Sequence, residues 1–300
     1  MKLKFKSCYQ ANGYFSITSL QQINNSKMIE LLFIIKLLVA IAFVIGLSIL
    51  AENVSPKVAG ILSGYPTGSA ITLFFFGLEV SPDFAAKSAV YNMMGLTAAL
   101  TFVYVYYIAS RYFKRFNILL SSLSAITAYF AVVSLLHLIE INKYIAILIP
   151  ITFSFLFIRL FKSIENINIK TKAKLNYKIL FVRAFFAALI ILVITSVPKF
   201  VGPTWAGLFS AFPTTLFPLM LIIHFTYSKE HVHTVIKNVP IGMFSLIIYS
   251  LVISIVYPLF GIYTGTLISF GAATVYLLVY KKIRSVLDKR ELKKTAIEGE

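Results

Sequence analysis

The sequence predicts an all-α polytopic membrane protein, with about nine transmembrane helices in two inverted four-helix repeats joined by one extra transmembrane helix. Three observations predict this fold class. Apolar residues make up 59% of the chain and charged residues only 13%, whereas a soluble domain carries roughly 25% charged residues. The apolar residues fall into segments near the ~20 residues that a helix needs to cross a bilayer. Finally, the sequence matches itself when shifted by 147 residues, the distance from Ala59 to Ala206.

The net charge of +17 does not indicate nucleic-acid binding, because the basic residues lie in short runs between apolar segments and in the tail. Such runs are typical of the cytoplasmic loops of membrane proteins. The single cysteine, Cys8, excludes an internal disulfide, CxxC redox chemistry and a cysteine-rich zinc site. We therefore expect a lipid bilayer as the partner, in the cytoplasmic (inner) membrane of a prokaryote, with no metal and no cofactor. Whether the chain forms a homo-oligomer stays open.

Residues 1–28 are polar and basic and contain no apolar core long enough for a signal peptide. Two interpretations of them stay open, an N-terminal extension or residues that precede a true start at Met28. Nine spans are predicted after them. They are 29–50, 57–79, 88–110, 117–138, 143–161, 178–198, 202–226, 233–257 and 262–280.

The spans divide the chain into two repeats, a connection and a tail. Their limits are 29–138 for repeat 1, 139–177 for the linking helix and basic linker, 178–280 for repeat 2, and 281–300 for a polar tail that we expect to fray. The shift of 147 residues is ungapped. It pairs Ala59-Gly60 with Ala206-Gly207, Ser63 with Ser210, Pro66-Thr67 with Pro213-Thr214, Ser81 with Ser228, Asp83 with Glu230, and Gly95 with Gly242.

The number of spans predicts how the repeats are oriented. The offset contains five spans, and an odd number turns the second repeat upside down, as in many secondary transporters. If one predicted span is wrong, the repeats are parallel instead. Placing the C-terminus in the cytoplasm also puts the basic linker 162–178 and the loop with Arg111 and Arg115 there, as the positive-inside rule requires.

The duplicated motif places prolines, glycines and hydroxyls in the middle of apolar spans. Proline breaks or kinks a helix, and a carbonyl freed in hydrocarbon needs a new partner. The functional interpretation is a broken helix whose hydroxyls and half-helix N-terminus bind a solute. The alternative is a proline kink with tight packing at Ala-Gly. The candidate substrate-binding residues are Ser63, Pro66, Thr67, Ser69, Ser210, Pro213, Thr214 and Thr215.

Lys36 and Arg183 occupy matching positions about two turns into the first span of each repeat. They either snorkel to the membrane surface or face the interior and bind an anionic group, so we include them among the candidate site residues. Ser81 and Ser228 are predicted to be helix N-caps. We find no GxSxG, HExxH, P-loop or paired-acid motif, and we do not expect an enzyme.

These residues resemble a family. Ile34-Ile35-Lys36, then Ala-Gly followed by Phe/Tyr-Pro-Thr, then Ser-x-Asp/Glu, is similar to the pattern of the GlpM family of small bacterial inner-membrane proteins. The resemblance implies that the chain is two such four-span units fused in tandem. Repeat 1 departs from the pattern, with Tyr65 for Phe and Gly77 where repeat 2 has His224.

Two functions follow from the sequence. The first is a transporter or flippase for a small polar or anionic solute, with its site at the paired Pro-Thr segments. The alternative is a non-transporting membrane scaffold or assembly factor for cell-envelope polysaccharide synthesis.

Overall fold

The computed structural model describes residues 55–139, 142–167 and 198–298, together with the helical positions 31, 34, 35, 37–39, 41, 42 and 46. These residues form helices and short connections. The helices are α1 (Pro56–Leu62), α2 (Thr67–Glu79), α3 (Pro82–Tyr112), α4 (Asn117–His137), α5 (Lys143–Leu160), α6 (Pro198–Ser210), α7 (Leu216–Thr226) and α8 (Lys229–Glu298), with a 3-10 turn at Phe161–Ser163.

The helices fit a multi-pass membrane protein, as the sequence predicts. Five segments are long and apolar enough to cross a bilayer: Pro56–Glu79, Pro82–Tyr112, Asn117–His137, Lys143–Ser163 and Lys229–Leu287. Leu216–Thr226 is a shorter apolar helix. α3 lies at the centre, with Met93 and Leu100 fully buried, whereas α4 and α5 expose large apolar side chains such as Leu135 and Leu148. An exposed apolar face of this kind suits contact with lipid.

Seven of the nine predicted spans fall on these helices. The other two, 29–50 and 178–198, lie largely or almost wholly outside the described residues. Only scattered positions of span 29–50 are described; all of them are helical, and Leu37, Val39 and Ile41 pack against Ile71 and Phe75. Span 178–198 lies outside the described residues except for Pro198. The count of nine spans therefore stays a prediction.

The predicted spans 233–257 and 262–280 are the two parts of α8, which are separated by a break at Gly261. The backbone there has φ of +75°, a conformation that glycine adopts at no steric cost. The chain then folds back, and Tyr257 Oη lies 2.7 Å from Thr266 Oγ1. The tail that we expect to fray is helical as far as Glu298, where α8 ends. The tail is rich in Lys, Leu, Arg and Glu, which favour a helix.

One of the two predicted caps is present in the expected form. Ser81 Oγ accepts a hydrogen bond from the Phe84 N–H at 3.1 Å, in the first turn of α3. Ser228 precedes α8, but its hydroxyl pairs with His231 Nδ1 at 3.0 Å.

The bundle has a basic end, formed by residues 110–117, 159–167 and 226–237. Ser110 Oγ lies 2.8 Å from His233 Nε2, and Thr234 Oγ1 donates to the Glu165 carbonyl at 3.3 Å. Arg111, Lys114, Arg115, Lys162 and Lys229 are the basic residues at or beside these contacts.

The opposite end contains the α2–α3 turn, the α4–α5 connection and the Gly261 break. His137 stacks on Trp205 with ring centroids 4.1 Å apart, and Lys143 Nζ donates to the Ser254 carbonyl at 3.4 Å. These contacts fix the direction of each helix. α1 and α2 run from the basic end to the opposite end, and α6 and α7 run the other way.

Small residues bring four helices into close contact. α1 runs parallel to the first part of α8, and α6 runs parallel to α3. The backbone contacts that define this packing are Gly60 with Val235, Gly64 with Gly242, Gly207 with Ser88, and Gly95 with Ala211. Contacts of this kind are the main way that helices associate in lipid, where burial of apolar surface supplies no driving force.

Replacing Gly242 with alanine should separate α8 from α1. A Cβ at this position would overlap the Ile61 carbonyl oxygen and lie 3.0 Å from the Gly64 Cα. We expect the unfolding free energy to fall by about 1–3 kcal/mol, measured by thermal melting of detergent-solubilised protein. Gly271→Ala is the control, because no heavy atom lies within 4 Å of the added carbon and alanine favours a helix. Equal melting temperatures for Gly242→Ala and Gly271→Ala would contradict this packing.

Candidate functional site

Two helix breaks form the centre of the site. Break 1 is residues 63–66, between α1 and α2, and break 2 is residues 211–215, between α6 and α7. The two breaks have the same local hydrogen bonds. Ser63 Oγ donates to the Gly60 carbonyl and Ser210 Oγ to the Gly207 carbonyl, both at 2.7 Å. The Thr67 and Thr214 N–H groups donate to the carbonyls of Tyr65 and Phe212, also both at 2.7 Å.

The carbonyl groups at the ends of α1 and α6 are satisfied within the protein. In α1, the last carbonyls accept from the Ser63 hydroxyl and from the backbone of break 1. In α6, Tyr129 Oη donates to the Leu208 carbonyl at 2.7 Å, and Ser69 Oγ donates to the Ser210 carbonyl at 3.1 Å. The carbonyls in the last turns of α1 and α6 are therefore already used, whereas those of Ser63, Gly64 and Ala211 have no hydrogen-bond donor among the described residues.

The amide groups at the starts of α2 and α7 differ from these carbonyls. Neither helix has a side-chain cap. The first helical bonds run from Ala70 N–H to Pro66 and from Phe217 N–H to Pro213. The amides that precede them have no hydrogen-bond acceptor among the described residues; they belong to Gly68, Ser69, Thr215 and Leu216. The helix that follows each break, α2 or α7, therefore begins with N–H groups that are free to donate a hydrogen bond.

A cavity of about 30 Å³ lies where the two breaks meet. A water molecule needs about 10–15 Å³ measured in this way, so the cavity has room for about two waters. Thr214 is only 2% exposed, and its Oγ1 lines the cavity without a hydrogen-bond partner. The lining comprises Ser63, Tyr65, Gly68, Ser69, Leu96, Ala99, Ala211, Phe212, Pro213, Thr214, Thr215, Leu216, Met243 and Leu246.

Asn92, on α3, joins four helices beside this cavity. Its Nδ2 donates to Ser69 Oγ on α2 at 3.2 Å and to Ser210 Oγ on α6 at 2.7 Å. Its Oδ1 accepts from Ser250 Oγ on α8 at 2.7 Å. All four side chains are buried. We call these residues the Asn92 hub, and they link both breaks to the long helices α3 and α8.

The structure brings most of the predicted site residues together. Ser63, Ser69, Pro213, Thr214 and Thr215 line the cavity. The other three described candidates lie beside it: Pro66 is the residue before α2, Thr67 Oγ1 donates to the Tyr65 carbonyl at 3.4 Å, and Ser210 belongs to the Asn92 hub. Lys36 and Arg183 lie outside the described residues.

Sequence reasoning missed Asn92 and Tyr129. Asn92 is an amide inside the apolar span 88–110, and a polar side chain at such depth indicates a structural or functional partner. That signal was available. Nothing in the sequence indicates that Tyr129 reaches the end of α6, because that contact depends on how the helices pack.

Comparison of the chain with protein-family models, with curated proteins and with solved structures finds no match. The resemblance to the GlpM family therefore depends on the residues quoted above.

Replacing Asn92 with alanine should leave Ser250 Oγ without its acceptor in the bundle core. We expect Asn92→Ala to lower the unfolding free energy by about 1–3 kcal/mol. In a double-mutant cycle with Ser250→Ala, the coupling should be about 1 kcal/mol. Ser254→Ala is the control, since that buried serine donates to the Leu251 carbonyl; its effect should add to that of Asn92→Ala. If the effects of Asn92→Ala and Ser250→Ala simply add, the hydrogen bond between these two side chains does not contribute to stability, and the Asn92 hub is excluded.

Proposed function

We propose that the protein is a transporter for a small polar or anionic solute, with its site at the cavity between the two breaks. The observation that carries the proposal is that two broken helices, from different halves of the chain, meet around one cavity that is lined in part by hydroxyl side chains. The cavity lies midway between the basic end and the opposite end. A helix that only anchors a protein gains nothing from a break at this depth, where freed backbone groups are costly.

We also propose that the two halves are inverted copies. Two observations support the proposal. Residues 147 apart make the same bonds at the two breaks, and the contacts of α1 with α8 correspond to those of α6 with α3. The helices that correspond also run in opposite directions, because α1 and α2 leave the basic end whereas α6 and α7 approach it.

Inverted halves provide a mechanism for alternating access. α1 packs with α8, and α6 packs with α3, so each pair combines one helix from each half. Rocking one pair against the other would open the cavity to one side of the membrane and then to the other. Three residues of break 2, Pro213, Thr214 and Thr215, line the cavity.

The orientation follows from charge. Lys and Arg accumulate on cytoplasmic loops, so the basic end with Arg111, Lys114, Arg115 and Lys162 would face the cytoplasm. The second part of α8 returns to that end, since Tyr276 Oη donates to the Ile241 carbonyl at 2.9 Å. The C-terminus would then also be cytoplasmic.

Cysteine labelling tests alternating access at the cavity. Cys8→Ser removes the single cysteine, and Thr215→Cys or Ser63→Cys then places one thiol at the cavity. In right-side-out and in inside-out vesicles, a membrane-impermeant maleimide should label both variants. Ala125→Cys is the control, because Ala125 is fully buried and lies outside the cavity lining; it should stay unlabelled in both preparations.

The same experiment separates transport from a scaffold. A scaffold has no need to open the cavity, so Thr215→Cys and Ser63→Cys would stay unlabelled from both sides. That outcome would contradict the proposed transport function.

A further inference from the structure

We propose that the cavity binds a small monovalent anion of the size of formate, nitrate or chloride, held by amide donors from both breaks and by the Thr214 hydroxyl. The inference rests on the proposed transport function and names its substrate class. It begins from the amide donors at the starts of α2 and α7, which have no hydrogen-bond acceptor among the described residues.

The donors come from two helices of sufficient length, α2 with 13 residues and α7 with 11. A helix N-terminus carries a partial positive charge of roughly half a unit and offers free N–H groups. Gly68 and Ser69 of α2, and Thr215 and Leu216 of α7, all line the cavity. Two such N-termini at one cavity repel a cation and favour a negative charge.

Thr214 is an independent observation that points to a ligand. Its side chain is 98% buried (2% exposed) and its Oγ1 has no partner. A buried hydroxyl without a hydrogen bond costs about 1–3 kcal/mol. A bound acceptor in the cavity would accept from this hydroxyl and remove that cost.

The two breaks approach each other closely, and this approach sets the size of the cavity. A Cβ at Gly68 would overlap Thr214 Oγ1, so only glycine lets break 2 reach the start of α2. The volume of about 30 Å³ suits an ion of a few heavy atoms. The described lining carries no ionised side chain, so movement of such an anion would be electrogenic.

Flux into proteoliposomes tests the proposal directly. The full chain is reconstituted in liposomes in which a potassium gradient and valinomycin set the membrane potential. We expect uptake of radiolabelled formate or chloride, or of nitrate, above the level of protein-free liposomes and faster at inside-positive potential. Radiolabelled glycerol and sodium should not enter above that level; sodium is the control cation because valinomycin itself carries potassium and rubidium.

Thr214→Val tests the hydroxyl, and Thr97→Val is its matched control. Thr97 is also buried with an unpartnered hydroxyl, but it does not line the cavity. Valine should leave the stability of both variants unchanged or raise it. Only Thr214→Val should raise the KM for anion uptake, by about tenfold, because it removes a hydrogen bond to a charged group. Thr214→Ser should keep the KM within about twofold of the original.

The outcomes separate this inference from the proposed function. Unchanged anion uptake in Thr214→Val would exclude the hydroxyl as a ligand and overturn the proposed site. Uptake of glycerol without any anion would overturn the anion inference and leave transport standing. If no solute enters and Thr215→Cys stays unlabelled from both sides, the proposed function itself fails.

Discussion

The structure depends on the cost of leaving a backbone group without a partner in hydrocarbon. A proline in a membrane helix frees carbonyl groups, and each of them needs a donor. At both breaks the protein supplies these donors from nearby hydroxyls and backbone amides, and in α6 also from Tyr129 and Ser69. The helices must approach closely for such bonds to form. The small residues along α1, α3, α6 and α8 therefore serve the hydrogen bonding of the breaks as well as the packing of the bundle.

The same constraint explains why the polar groups have different roles. Ser63 and Ser210 each satisfy a carbonyl one turn earlier, and this leaves them less able to bind a solute. Asn92 uses both ends of its amide within the hub. Thr214 remains as a buried hydroxyl at the cavity with no hydrogen-bond partner among the described residues. Groups that hold the breaks and groups that face the cavity can be distinguished by their hydrogen bonds, although they are of the same chemical types.

The sequence predicts the apolar helices, the position of both breaks and the Ser81 cap, because each of these depends on local chemistry. Pro66 and Pro213 each remove a backbone donor within an apolar span, and the glycines or hydroxyls beside them mark these positions as breaks, whereas Pro150 and Pro240 lie inside helices. Features that depend on distant parts of the chain were not predictable in this way. The partners of Asn92 come from three other helices, and Tyr129 reaches α6 across the bundle. Gly261 lies between two predicted spans, and a single glycine at positive φ suffices for the reversal there.

The crossed packing of the halves has a consequence for biosynthesis. The surface of α3 around Ser88 and Gly95 is filled by α6, which the ribosome makes much later. During that interval the first half lies in the membrane with the Asn92 amide lacking its partners on α6 and α8. Break 2 cannot be completed by its own half alone, because Tyr129 and Ser69, which donate to it, belong to the first half. The two halves therefore reach their final structure together, after α8 has left the ribosome.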